Sequence, residues 1–292
     1  MTRIYPANNS MADQREFFEG LSYRVVGSGP PMIALHGLCE TQLTWSHITR
    51  LLSPQFQFYL FDLKGHGDSD SPQDGRYSLD DQASIICRFI DDKRLTNVTI
   101  LGHSLGGGIG LFIALKFSKK KPQPLAKLIL IDSIGAPQPI PLFVRLIGLK
   151  WLLSFAAKIF PAKSLVRHFL LKNAYSHSSK LSEKFISEYA KNLSNPNGPY
   201  VLSTTVKQLL ATNPLHWLGE FAAINVPTLI LFGKGDRIVR PYVGIQLNVA
   251  ITKSELDWLP CGHMPQEEVP ELVAEHIVRF TKEQPQLARD DV

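Results

Sequence analysis

The chain has 292 residues, 44% of them hydrophobic, and carries 31 Lys and Arg against 26 Asp and Glu for a net charge of +5. That length holds one large α/β domain or one domain plus an insertion, and the apolar share supports a full core. The three cysteines, Cys39, Cys87 and Cys261, are odd in number and scattered; this excludes a disulfide framework, gives no metal-ligand spacing, and makes a reducing, cytoplasmic setting the expectation. The opening residues M-T-R-I-Y-P-A-N-N-S-M-A-D-Q-R-E lack the apolar core of a signal peptide. No apolar run reaches the roughly 18 uncharged residues of a transmembrane helix.

In chain order, residues 1–20 read as a polar tail. Residues 21–26 alternate and read as a strand, 27–31 as a turn, and 32–35 as a buried strand ending at His36-Gly37-Leu38-Cys39. Residues 43–52 have helical spacing. A strand over 56–61 ends at Asp62, a Gly-rich loop follows, and 79–94 reads as a helix. The β-branched run 98–101 ends at Gly102-His103-Ser104-Leu105-Gly106, and 109–121 continues as a helix whose closing lysines suit a helix C-terminus. Residues 125–131 form a strand ending at Asp132. Strands alternating with helices predict a mostly parallel sheet covered on both faces. The ligand crevice then lies at the carboxyl ends of the strands.

The alternation breaks from 135 to 215, where prolines punctuate helical stretches and no strand signal appears. It resumes with a strand over 226–232 followed by Gly233-Lys234-Gly235-Asp236. A helix over 238–250, a strand over 255–259, the loop Cys261-Gly262-His263-Met264 and a last helix over 269–282 complete the chain. The expected organisation is a core of 21–134 and 216–283, a helical cap of 135–215, and tails at 1–20 and 284–292.

G-x-S-x-G between a strand and a helix describes a nucleophile elbow. The turn is tight enough to strain the serine backbone, and a Cβ at Gly102 or Gly106 would collide with the neighbouring strand and helix. Ser104 Oγ is then exposed at a helix N-terminus, where the Leu105 amide points at whatever the serine attacks. A serine hydroxyl is a poor nucleophile at neutral pH; it needs a neutral imidazole within hydrogen-bond reach and a carboxylate to orient that imidazole. His263 follows the last strand and Asp236 the strand before it. Asp132, which also ends a strand, competes for the carboxylate role, and Asp236 is preferred. Glu40 could line the pocket or face solvent.

Five motifs, L-H-G at 35–37, D-L-K-G-H-G-D-S-D at 62–70, G-H-S-L-G-G at 102–107, F-G-K-G-D-R-I-V at 232–239 and G-H-M-P-Q-E-E-V-P-E at 262–271, together resemble the α/β-hydrolase fold in its capped form. The chain looks like the group of esterases, C–C hydrolases, proline iminopeptidases, epoxide hydrolases and haloalkane dehalogenases. The resemblance implies Ser104 as nucleophile, where dehalogenases and epoxide hydrolases carry aspartate, His263 as base and acid, and Asp236 as its orienting carboxylate. It also implies an oxyanion hole from the backbone N–H groups of Leu38 and Leu105, with His36 and Gly37 supporting that loop. His66 and His103 are expected to be structural, Asp62 to brace its loop, and Glu268 to anchor the last one. Trp45 and Trp151 are candidate pocket residues.

The expected activity is hydrolysis of a carboxylic ester with an apolar acyl or alcohol part, with no cofactor and no metal. The alternatives are C–C or thioester hydrolysis of an anionic substrate, or a non-catalytic ligand-binding homologue. Residues 135–215 carry ten Lys and Arg against two Glu, a net of +8 that leaves −3 for the rest of the chain. That bias suits a solvated lysine face, an anionic substrate, or peripheral contact with an anionic membrane. No nucleic-acid partner is expected.

Overall fold

The computed structural model describes residues 14–282. Eight strands build the sheet: β1 (Arg15–Phe18), β2 (Leu21–Gly27), β3 (Pro31–Leu35), β4 (Gln57–Phe61), β5 (Val98–His103), β6 (Leu125–Ile131), β7 (Thr228–Gly233) and β8 (Ser254–Leu259). Their spatial order is β1-β2-β4-β3-β5-β6-β7-β8. The first two strands run antiparallel to their neighbours, and β4, β3, β5, β6, β7 and β8 pair in parallel.

The central strands are apolar along their whole length because helices cover both faces. In β3, Ile33 and Leu35 face one core while Met32 and Ala34 face the other, the two-residue period of a strand. The first core is closed by α2 (Leu79–Asp92), α3 (Leu105–Ser118) and α10 (Tyr242–Ala250), through residues such as Phe89, Ile113 and Leu247. The second is closed by α1 (Ser46–Leu52) and α12 (Pro270–Lys282), through Ile48, Leu52, Val273 and Ile277. A capping box sets the start of α2: the Ser78 side chain accepts from the Asp81 amide, and Asp81 reaches back to the Ser78 amide.

Between β6 and β7 the chain forms α4 (Leu142–Ile147), α5 (Lys150–Ile159), α6 (Ala162–Phe169), α7 (Glu183–Ser194), α8 (Gly198–Ala211) and α9 (Pro214–Glu220). A third core of Val166, Leu170, Ala174, Tyr175, Phe185, Ile186, Tyr189 and Ala190 includes Met264, from the loop after β8, so this cap is packed onto the carboxyl end of the sheet. Among the described residues no helix is long and apolar enough to cross a membrane.

The larger differences from the sequence reading concern four stretches. The stretch 14–20 is not tail: Phe18 pairs with Leu21 and Arg15 with Arg24. Glu19 and Gly20, both at positive φ, close the hairpin between β1 and β2. The remainder of the expected tails, 1–13 and 284–292, lies outside the described residues. Residues 42–52 split into a 3-10 turn (Gln42–Trp45) and α1. The helix expected at 109–121 starts at Leu105, immediately after Ser104, and ends at Ser118. The helix expected from 238 starts at Tyr242, because the Ile238 and Val239 amides are bound to the Asp236 carboxylate.

Candidate active site

Ser104 joins β5 to α3 with φ 50° and ψ −110°, a conformation L-residues rarely adopt. The turn is closed by packing. A Cβ on Gly102 would strike the Gly106 carbonyl, and one on Gly106 would strike the Leu35 carbonyl. The Ser104 amide donates to the Ile131 carbonyl at 2.9 Å, tying the elbow to β6.

Three loops at the carboxyl ends of the strands converge here. His263 Nε2 lies 3.0 Å from Ser104 Oγ, and His263 Nδ1 lies 2.7 Å from Asp236 Oδ2. The carboxylate accepts at Nδ1, so Nδ1 carries the proton and the Nε2 lone pair faces the serine hydroxyl. The other Asp236 oxygen accepts the Ile238 and Val239 amides at 2.7 and 3.0 Å, which fixes the carboxylate plane. All three side chains are buried.

Asp132 is not part of this relay. Its Oδ1 accepts from the Gly233 amide at 2.7 Å, and its Oδ2 has no hydrogen-bond partner among the described residues. Burial, with the Asp236 charge beside it, raises its pKa well above the carboxylate range. Among the described residues, His103, Asp132 and His263 are the one His and carboxylate group close enough together to suggest a metal. Their nitrogens are engaged by Glu40, Asp236, Ser104 and the His263 carbonyl, which does not fit a metal centre.

Leu38 and Leu105 line the cavity beside Ser104. The Leu105 N–H, first in α3, has no intrahelical acceptor. The Leu38 N–H has no acceptor among the described residues. His36 holds the Leu38 loop: the Leu63 amide donates to His36 Nε2 at 2.9 Å, and Nδ1–H donates to the Gly37 carbonyl at 2.7 Å. Burial lowers the His36 pKa to about 4, so the ring that clamps the two loops is neutral. Asp62 accepts the Gln42 amide, the Gln42 side chain and the Asp68 amide, bracing the 62–70 loop.

Trp45 and Trp151 do not reach the site. Trp45 is fully buried in the second core with Met32 and Ile48, and Trp151 is 69% exposed. Cys261 is buried in the second core, Cys39 lines the cavity, and burial pushes the Cys39 thiol up to about 12.

Two carboxylates that sequence reasoning left without a role shape the site. Glu40 is buried, with Oε1 2.9 Å from His103 Nδ1, while His103 Nε2–H donates to the His263 carbonyl at 2.7 Å. Burial opposes charge on both groups, but each favours the other's charged form: His103 is held above its ordinary pKa and Glu40 below. Glu267 accepts from Thr44 Oγ1 at 2.7 Å and from the hydroxyls of Tyr175 and Tyr189. Burial, with the Glu40 charge nearby, pushes its pKa up to about 7. Beside it, Glu268 accepts the amides of Gly262, Ser176 and His177 at 2.8 to 2.9 Å, fastening the cap to the His263 loop. No local pattern marks Glu40, whose partner His103 lies on another element; for Glu267 the E-E pair after G-H-M-P-Q is the available signal.

Ser104 and His263 open onto a cavity of about 380 Å³ between the core and the cap, and among the described residues its lining contains no Lys or Arg. The α/β hydrolase fold family model matches residues 30–270. The pimeloyl-[acyl-carrier protein] methyl ester esterase of Nitrosomonas europaea is 25% identical over 254 residues, covering 84% of this chain and 93% of that protein. An esterase from Exiguobacterium antarcticum superposes with TM-score 0.75 at 24% identity, over 90% of this chain and 96% of its own. The enol-lactonase from Burkholderia xenovorans LB400 superposes with TM-score 0.75 at 18% identity, over 92% and 100%. The sheet order, the elbow and the family match lead to one conclusion: the chain belongs to the α/β hydrolase fold family.

Proposed function

We propose that the protein is a serine hydrolase that cleaves a carboxylic ester with an apolar acyl or alcohol part. The observation that carries this reading is the Ser104–His263–Asp236 relay, with links of 3.0 and 2.7 Å, opening onto a largely apolar cavity. Ser104 Oγ attacks the ester carbonyl as His263 Nε2 takes its proton, and the Asp236 carboxylate stabilises the imidazolium. The Leu38 and Leu105 amides donate to the tetrahedral oxygen. Collapse breaks the bond to the alcohol, which leaves with the proton from His263. Water, deprotonated by the same imidazole, attacks the acyl-enzyme and releases the acid.

The cap, taken as residues 135–215, supplies the apolar walls. The absence of Lys and Arg from the lining favours a neutral apolar group over the carboxylate that an anionic C–C hydrolase substrate would bring. Relatives named as esterases and an enol-lactonase act in the same bond class.

The test is turnover of p-nitrophenyl esters from acetate to palmitate. Ser104→Ala is expected to lose about 10³-fold or more; unchanged activity in that variant overturns the reading. Failure of every ester while a fluorophosphonate still labels Ser104 would favour a ligand-binding role.

A further inference from the structure

Helices α4 and α5 form the outer wall of the cavity, and they are apolar on both sides. Phe143, Val144, Ile147, Leu153 and Ala156 line the cavity. The opposite side carries Leu142, Leu146, Trp151, Phe155, Ile159 and Phe160, all exposed, with Leu142 71% and Phe155 59% accessible. On α5, Trp151, Phe155 and Ile159 recur at four-residue spacing, so they share one face. A contiguous exposed patch of this kind marks an interaction surface rather than scattered surface hydrophobics.

The charges around the patch identify its partner. Arg145, Lys150, Lys158 and Lys163 lie on or between these helices and α6, and residues 135–182 contain no Asp or Glu. None of the four forms an ion pair among the described residues; Lys150 Nζ lies over the Tyr200 ring at 5.2 Å. A two-fold pairing of copies through this face would set these cations against themselves with no local acid to offset them. A layer of anionic lipid offers both an apolar slab for the aromatic and aliphatic side chains and negative headgroups for the cations.

We propose that the outer face of α4 and α5 docks on anionic lipid bilayers, with Trp151, Phe155 and Ile159 entering the acyl boundary and Arg145, Lys150 and Lys158 at the headgroups. Docking there places the membrane one helix away from the cavity. Leu210 and Pro214, both exposed, belong to the cavity lining together with Pro141 at the start of α4, so the cavity meets the surface at the edge of the same patch. An apolar substrate can therefore pass from lipid to cavity over a short path. The surface itself is independent of the hydrolase reading, and Ser104→Ala is expected to bind lipid as the unaltered chain does.

The test is flotation of the full chain with vesicles of phosphatidylcholine and of phosphatidylcholine mixed with phosphatidylglycerol. Binding is expected to the anionic vesicles, weakened by salt, and reduced by about tenfold or more in Arg145→Glu/Lys158→Glu. The triple variant Trp151→Ser/Phe155→Ser/Ile159→Ser is expected to abolish it, with thermal melts verifying that both variants fold. The Trp151 contribution to fluorescence, taken as the difference from Trp151→Phe, should shift to the blue on vesicle addition. Equal binding to neutral and anionic vesicles, no binding to either, or binding unchanged in both variants overturns the proposal. A patch-dependent dimer by light scattering without vesicle binding assigns the face to a second copy instead and overturns it equally.

Discussion

Asp132 and Asp236 end adjacent parallel strands, yet only Asp236 faces the imidazole. Asp132 spends one oxygen on the Gly233 amide, and burial beside Asp236 favours its protonated form. Asp236→Asn is therefore expected to lower ester turnover by roughly 10⁴-fold, since the amide cannot hold the required imidazole tautomer. Asp132→Asn, which keeps an oxygen to accept the Gly233 amide and lies outside the relay, should stay within about threefold of the unaltered chain in the same assay. The Glu40–His103 pair gives a second expectation. Glu40→Gln removes one partner of a buried pair and should cost about 3 kcal/mol in urea unfolding. His103 is raised, so its contribution is present below its ordinary value of 6.5 and fades as pH climbs through the folded value. Glu40 is lowered, so its contribution is present above 4.5 and fades as pH falls through the folded value. The cost of Glu40→Gln should thus peak between pH 4.5 and 6.5. The relay was legible in sequence because each member sits in a loop that directly follows a strand. Glu40 was not, since only the assembled sheet decides that its side chain turns inward to His103.

At the scale of elements, the short helix α11 (Pro265–Glu268) holds the cap to the core. Glu268 satisfies three backbone amides, two of them in the cap, and Glu268→Ala would orphan all three at a cost of about 3 kcal/mol or more. Differential scanning calorimetry should register this as a clear loss of Tm. Glu267 behaves differently. Its pKa is pushed from 4.5 up to about 7, so the folded state holds the proton more tightly than the unfolded chain. The Glu267 contribution to stability is then fully present below 4.5 and is lost as pH rises to about 7, by at most about 3 kcal/mol. Glu267→Gln keeps the shape without the charge, and its urea midpoint should change less than that of the unaltered chain between pH 5 and pH 8. An equal slope in both proteins would remove Glu267 as the cause. The main strands and helices were readable from apolar runs and proline or glycine punctuation. β1 was missed because its exposed Arg-Glu start reads as polar tail and only pairing with β2 makes it a strand.

Across the whole molecule, the cap and the core differ in charge and jointly enclose the cavity. The strandless, proline-punctuated stretch from 135 reads as a helical insertion, and α4 to α9 lie between β6 and β7. Which side of α4 and α5 faces inward is not legible, because both helices carry apolar side chains on two sides. Trp151 was expected in the pocket and faces solvent, whereas Leu153, two residues on, lines the cavity. That phase has a consequence for substrate length. Leu153 is half-buried on the inner side of α5, where a larger ring can be accepted by displacement of the thin outer wall rather than of the sheet. Leu153→Trp should reduce the 380 Å³ cavity while leaving the relay untouched. In the p-nitrophenyl series, kcat/KM for acetate is expected to remain within about threefold, while the preferred chain shortens and activity on the longest esters falls by tenfold or more, in line with the free energy of several methylenes left unburied. Phe143→Ala, which widens the same wall from α4, should move the preference toward longer chains. If both variants keep the original optimum, the acyl group does not occupy the space between α4, α5 and the core, and the alcohol side of the ester must lie there instead.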